Sequence, residues 1–147
     1  MRLKFLASKM KLIISESTTI QDIRTKFVHH YPFLTIEFFN PEKEKTIRFT
    51  EQNKIHEKNQ PIRNINSVQL PCSINISSHI KVVELEKAVE DTTGLAVQIY
   101  RKSGKVWLQT TATDHWTLDM QNRKGIEMNV ENEAPAKLDP DFYHEQE

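Results

Sequence analysis

The strongest constraint on this chain of 147 residues is a pattern that occurs twice. The stretch from Ile14-Ser15 to Phe39 can be laid over the stretch from Ile76-Ser77 to Tyr100 with a one-residue gap near Pro32-Phe33. In the first copy a strand-like run, Lys11 to Ser15, leads into Ile20, Ile23, Phe27 and Tyr31 at helical spacing. Leu34, Ile36 and Phe38 then alternate with Thr35 and Glu37. In the second copy Ser73 to Ser77 leads into Val82, Leu85, Ala88 and Val89, and then Leu95, Val97 and Ile99 alternate with Ala96 and Gln98. A period near 3.6 followed by a period of 2 reads as helix and then half-buried strand. Any two amphipathic β-α-β segments share this much, so chance likeness stands beside internal duplication as an explanation.

The helix ends are marked. Thr19 is an N-cap with Asp22 in the first turn, and Pro32 stops the first helix; Gly94 stops the second. The second N-cap is open between Lys81 and Ser78. After the second copy, two alternating runs around Ser103-Gly104 predict a hairpin. Thr117 as N-cap, Arg123 and Lys124 in the last turn and Gly125 beyond predict a short closing helix.

A two-residue turn at Ser103-Gly104 would pair Lys102 with Lys105, Arg101 with Val106, Tyr100 with Trp107 and Gln98 with Gln109. Val97, Ile99 and Leu108 then face the core. Tyr100 and Trp107 share the other face, ringed by Lys102, Lys105, Gln98 and Gln109. An open face of that chemistry could stack a base or grip a partner's side chain. The bland alternative is that the two rings only stabilise the hairpin, or lie under Trp116.

Charge narrows the partners. Lys and Arg number 20 against 20 Asp and Glu, which excludes a strong polycation. The balance is a sum of opposites: residues 1–130 carry 19 basic and 14 acidic side chains, and residues 131–147 carry 1 and 6. The acidic end, broken by Pro135 and Pro140, is expected to be a disordered tail. Residues 41–69, rich in Asn, Gln, Lys and Glu, read as a long polar connection in which Thr46 to Thr50 is the one strand-like island.

No reaction is encoded in recognisable form, and no cofactor, metal or catalytic set is assigned. The three glycines, Gly94, Gly104 and Gly125, fall in no phosphate-cradling pattern. Cys72 alone can form neither a disulfide within the chain nor a paired-cysteine zinc site, and an inert buried thiol is expected. His29, His30, His56, His79, His115 and His144 show no ligand spacing, and Asp114-His115 has no locatable partner. Lys9 and Lys11 interrupt the N-terminal apolar run and no membrane span is present, so a soluble, cytoplasmic protein is expected.

The stretch from Val82 to Asn122, above all Gly94 to Leu118, resembles a segment of a family of small uncharacterised proteins of Bacteroidota. The resemblance implies a bacterial origin and brings no activity, cofactor or site residue. Residues 2–27 are more faintly similar to ubiquitin-like β-grasp folds; the final Glu145-Gln146-Glu147 is not the paired glycine a conjugated modifier carries.

The expected architecture is therefore α+β: one domain over residues 1–130, in which duplicated β-α-β units form one antiparallel sheet with both helices on one face, in ferredoxin-like order. The hairpin and short helix extend it. The alternative is a tandem of β-grasp-like halves. The expected function is a non-enzymatic protein-interaction module presenting Tyr100 and Trp107, or the neighbouring edge, to a protein partner. The alternative is single-stranded nucleic-acid binding through the same rings with Arg101, Lys102 and Lys105.

Overall fold

The computed structural model describes residues 10–133. Strands β1 (Lys11–Ile14) and β3 (Cys72–Asn75) pair antiparallel, with Leu12 opposite Ile74. Strand β2 (Leu34–Phe39) pairs antiparallel with β4 (Ala96–Ser103), and β4 with β5 (Val106–Gln109). The class is α+β, and every pairing is antiparallel. In place of the single continuous sheet expected, the strands group as β1-β3 and β2-β4-β5.

Helix α1 (Ile20–His30) starts at Thr19, whose hydroxyl accepts from the Asp22 amide at 3.0 Å while Asp22 accepts from the Thr19 amide at 3.0 Å. This reciprocal box satisfies two otherwise orphaned donors. Ile20, Ile23 and Phe27 enter the core. The long second helix, Val82–Thr93, starts at Lys81, with Glu84 rather than Ser78 closing the turn by accepting from the Lys81 amide at 2.9 Å. It ends as expected at Gly94, whose φ of 76° suits the left-handed cap. One apolar core joins both long helices to both sheets, from Leu12 and Ile74 to Leu34, Ile36, Val97 and Ile99.

The connection at 41–69 departs from expectation. Thr46 to Thr50 is no strand: a helical turn, α2 (Lys45–Arg48), is followed by Phe49, whose ring meets Phe39 edge-to-face at 5.1 Å. A second short helix, α3 (Ile62–Ile65), follows, so the long helix at Val82–Thr93 is α4. The connection is pinned at several points. Ile55 donates to the Phe38 carbonyl at 2.9 Å and Ile62 to Thr18 at 2.9 Å, and both side chains are buried. Burying two isoleucines contributes about 1.5–3 kcal/mol each, which outweighs the polar composition around them.

The closing helix α5 (Leu118–Glu133) is also longer than expected, because Gly125 lies inside it. A Cβ at Gly125 would stand 2.6 Å from the Phe33 Cβ and 3.4 Å from Arg101 Cγ. The glycine permits close packing instead of ending the helix. Glu131 and Glu133, assigned to the acidic tail, belong to α5. The rest of that tail, and residues 2–9 of the β-grasp alternative, lie outside the described residues.

The two β-α-β segments make matching bonds. Leu12 and Ile74, 62 positions apart, face each other in one sheet; Glu37 and Gln98, 61 apart, do so in the other. Thr19 bridges Pro61 as Lys81 bridges Thr117. Ile62 donates to Thr18 as Leu118 donates to Ile80, and Ile55 to Phe38 as Thr110 to Ile99.

Candidate docking face

Alternation along β2 and β4 sorts their side chains onto two faces. Leu34, Ile36, Phe38, Val97 and Ile99 face the core, and Arg101 goes with them. Arg101 is fully buried, donates from Nη1 to Gln121 Oε1 at 2.8 Å and lies 5.8 Å from the Trp116 ring centroid. It is therefore removed from the aromatic face with which nucleic-acid binding would have used it. Thr35, Glu37, Tyr100, Lys102 and Trp107 occupy the opposite face.

The hairpin register differs from the expected one by two residues. Ser103 pairs with Val106, Lys102 with Trp107, Arg101 with Leu108 and Tyr100 with Gln109, so the turn is Gly104-Lys105. Gly104, at φ 62°, takes the first central position, where a two-residue hairpin turn needs positive φ. A shift of two keeps every side chain on its face. Tyr100 and Trp107 thus share a face, as expected, but sit diagonally, and Lys105 is an exposed turn residue.

The other proposed binding residues separate. Trp107 is 44% exposed, Gln109 is exposed, and Tyr100 and Lys102 are half-buried. Gln98, only 2% exposed, donates to the Ile99 carbonyl at 3.2 Å and is not presented to a partner. Burial raises the Tyr100 phenol pKa and the Glu37 and Glu51 carboxylates add to the rise, while a hydrogen bond with Gln109 opposes it.

Sequence reasoning missed the charged wall beside these rings. Glu37 Oε2 meets Arg24 Nη2 at 2.9 Å, and its Oε1 lies 3.4 Å from Lys58 Nζ and 4.0 Å from Lys54 Nζ. Arg24 also donates from Nε to the Ile36 carbonyl at 3.2 Å and from Nη1 to Gln21 at 3.0 Å. Through these bonds it covers the outer edge of β2. One signal was legible: Glu37 is the single charged residue in β2, placed where its alternation points away from the core.

Two adjoining recesses flank Trp107. One, of about 310 Å³, is lined by Arg24, Thr35, Glu37, Lys54, Tyr100 and Trp107. The other, of about 410 Å³, runs beside α1 past Thr25, Val28, Pro32 and Lys102 to Trp107. They share Arg24, Thr35 and Trp107 and make a groove across the face. Strand β5 is the edge of its sheet. In the β4–β5 ladder Thr110 donates to Ile99, so by antiparallel alternation the backbone groups of Trp107 and Gln109 point away from β4.

Chemistry elsewhere is sparse. Among the described residues no group of three or more His, Cys, Asp or Glu could hold a metal ion, and no helix is long and apolar enough to cross a membrane. Cys72 is half-buried, and burial raises its thiol pKa, away from the reactive thiolate. On α4, Glu86 accepts from the Ile99 amide at 3.0 Å, and burial pushes its pKa up to about 7. No protein-family model, curated protein or solved structure matches this chain.

Proposed function

We propose that this chain is a non-enzymatic, cytoplasmic bacterial protein-interaction module that docks a protein partner on the face formed by Tyr100, Trp107, Lys102, Lys105 and Gln109. The observation that carries this reading is Trp107, 44% exposed between two open recesses on the sheet face opposite the core. A large amphipathic ring at the centre of a desolvatable groove is the usual anchor of a protein interface. The open edge of β5 beside it adds backbone donors and acceptors for an extended segment.

The alternative, single-stranded nucleic-acid binding, draws less support. Glu37 and Glu51 line the same recess, Arg101 is in the core, and residues 10–133 carry 16 basic and 16 acidic side chains. Phosphate affinity rests on released counterions and needs a surplus of cations. The reading includes internal duplication. The matched registers of Leu12 with Ile74 and of Glu37 with Gln98, and the paired bridges at Thr19 and Lys81, support it.

Binding of labelled single-stranded oligonucleotide at two salt concentrations separates the two functions: the protein-docking reading expects none at low salt. It also expects a Trp107→Ala chain to fold and to lose its protein partner. A folded Trp107→Ala chain that keeps the partner contradicts it.

A further inference from the structure

This inference rests on the proposed docking role of the Tyr100/Trp107 face and names what occupies it. Two places on the three-stranded sheet correspond, because Phe39 bridges Lys54 as Tyr100 pairs with Gln109. On the Phe39 side the chain closes the place itself. The connection supplies Phe49 against Phe39, with Arg48 over the Phe49 ring at 5.2 Å and ion-paired to Glu90 of α4. Gln98 is buried nearby. On the Tyr100 side the connection is only the tight turn at Gly104-Lys105, too short to bring in a second ring. Tyr100 and Trp107 make no ring contact with each other and flank the recess of about 310 Å³.

We infer that this recess seats an aromatic side chain of a partner protein that carries carboxylates beside the ring. The ring takes the place that Phe49 takes on the closed side. Its volume is no obstacle, since the recess equals the share of roughly ten waters of liquid. The carboxylates follow from charge. Arg24, Lys54 and Lys58 are already held by Glu37, whereas Lys102 and Lys105, beside Trp107, have no ion-pair partner among the described residues. The closed side shows the complementary arrangement, a cation beside the ring set against an acid on the helix. A nucleotide also joins a ring to an anion, but residues 10–133, with 16 basic and 16 acidic side chains, lack the surplus of cations that a phosphate chain needs.

The test uses the full chain and its tryptophan emission, with a Trp107→Phe variant to assign the signal. The probe is the acetylated, amidated peptide Asp-Glu-Phe-Glu-Asp. Saturable binding is expected, weakened at least about tenfold when Ala replaces the peptide's Phe, when Lys replaces its acids, or in a Lys102→Ser/Lys105→Ser chain. A Thr35→Phe chain, which fills the recess from its wall, is also expected to lose the peptide. Equal binding of the Phe and Ala peptides, no binding of any peptide, or tighter binding of oligothymidylate overturns the inference. So does much tighter peptide binding by a chain carrying Phe142→Ala and Tyr143→Ala, because the chain's own Asp141-Phe142-Tyr143 would then be the occupant. The docking role itself is judged separately, by whether a protein cross-linked from Gln109, on the Trp107 side of β5, depends on Trp107.

Discussion

Glu37 lies directly opposite Gln98 at the middle of the β2–β4 ladder, a carboxylate against an amide, both on the face away from the core. The two sides of the sheet differ around that pair. Arg24, Lys54 and Lys58 gather on Glu37, whereas Gln98 is satisfied by a neighbouring backbone carbonyl and sealed from solvent. The place that stays open is the one walled by charge.

Removing Glu37 is therefore expected to cost stability. Glu37→Ala leaves Arg24 and Lys58, only 22% and 24% exposed, without their counter-charge, and leaves Lys54 with Glu51 alone at 3.8 Å. Breaking a fully buried pair costs about 3–5 kcal/mol. With this much solvent access a loss of about 1–3 kcal/mol is expected, read as a lower urea midpoint at unchanged slope. An unchanged midpoint would show that the cluster is solvated and contributes nothing.

Gly125→Ala sets two effects against each other. In an exposed helix the change stabilises by about 1 kcal/mol. Here the new methyl meets Phe33 at 2.6 Å, and overpacking of that kind costs about 1–3 kcal/mol. Steric conflict is expected to win, giving a lower thermal midpoint. A higher midpoint would mean that α5 can move off β2 at little cost.

Those residues also show what was legible in the chain and what was not. Local signals were readable where one residue's own chemistry decides the outcome, as with the Thr19/Asp22 box and the left-handed cap at Gly94. Gly125 misled because a glycine serves equally as a helix stop and as a close-contact site, and only the position of Phe33 distinguishes them. Thr46 to Thr50 misled because so short a run carries no usable period, and Phe49 is placed by packing on Phe39. The grouping of strands into two sheets was not readable from alternation, which fixes faces and not neighbours. The hairpin register differs by two without changing which side chains share a face, so the common face of Tyr100 and Trp107 was legible. Their charged wall was not, because Arg24 and Glu37 are 13 positions apart and meet around a strand edge.

Glu86 makes stability depend on pH. Its pKa is pushed from an ordinary 4.5 up to about 7, by burial first and the Asp114 charge after that. The folded chain then holds a proton that the unfolded chain has released, so stability falls as pH rises from about 4.5 to 7 and is flat in this term above that. The loss is on the order of 3 kcal/mol. Glu86→Gln, which can still accept from the Ile99 amide, is expected to abolish this slope and to be the more stable chain at pH 8. Parallel pH profiles for the two chains would contradict the assignment.

Trp107→Ala is expected to leave the fold nearly untouched, within about 1 kcal/mol, since the ring is 44% exposed on an edge strand. Gln109→Pro removes an outward-pointing N–H at the same edge and is likewise tolerated in an edge strand. If the edge contributes to docking, Gln109→Pro weakens the partner while circular dichroism stays unchanged. If only the rings matter, binding survives it.

The most direct test of the docking face is site-specific photo-cross-linking of the full chain from Gln109, exposed on the same face of β5 as Trp107, compared with Ile13, 53% exposed on the other sheet. The account predicts a defined protein adduct from position 109 that survives nuclease treatment, disappears in Trp107→Ala and does not form from position 13. Equal adducts from both positions, adducts that nuclease removes, or adducts indifferent to Trp107 would contradict it.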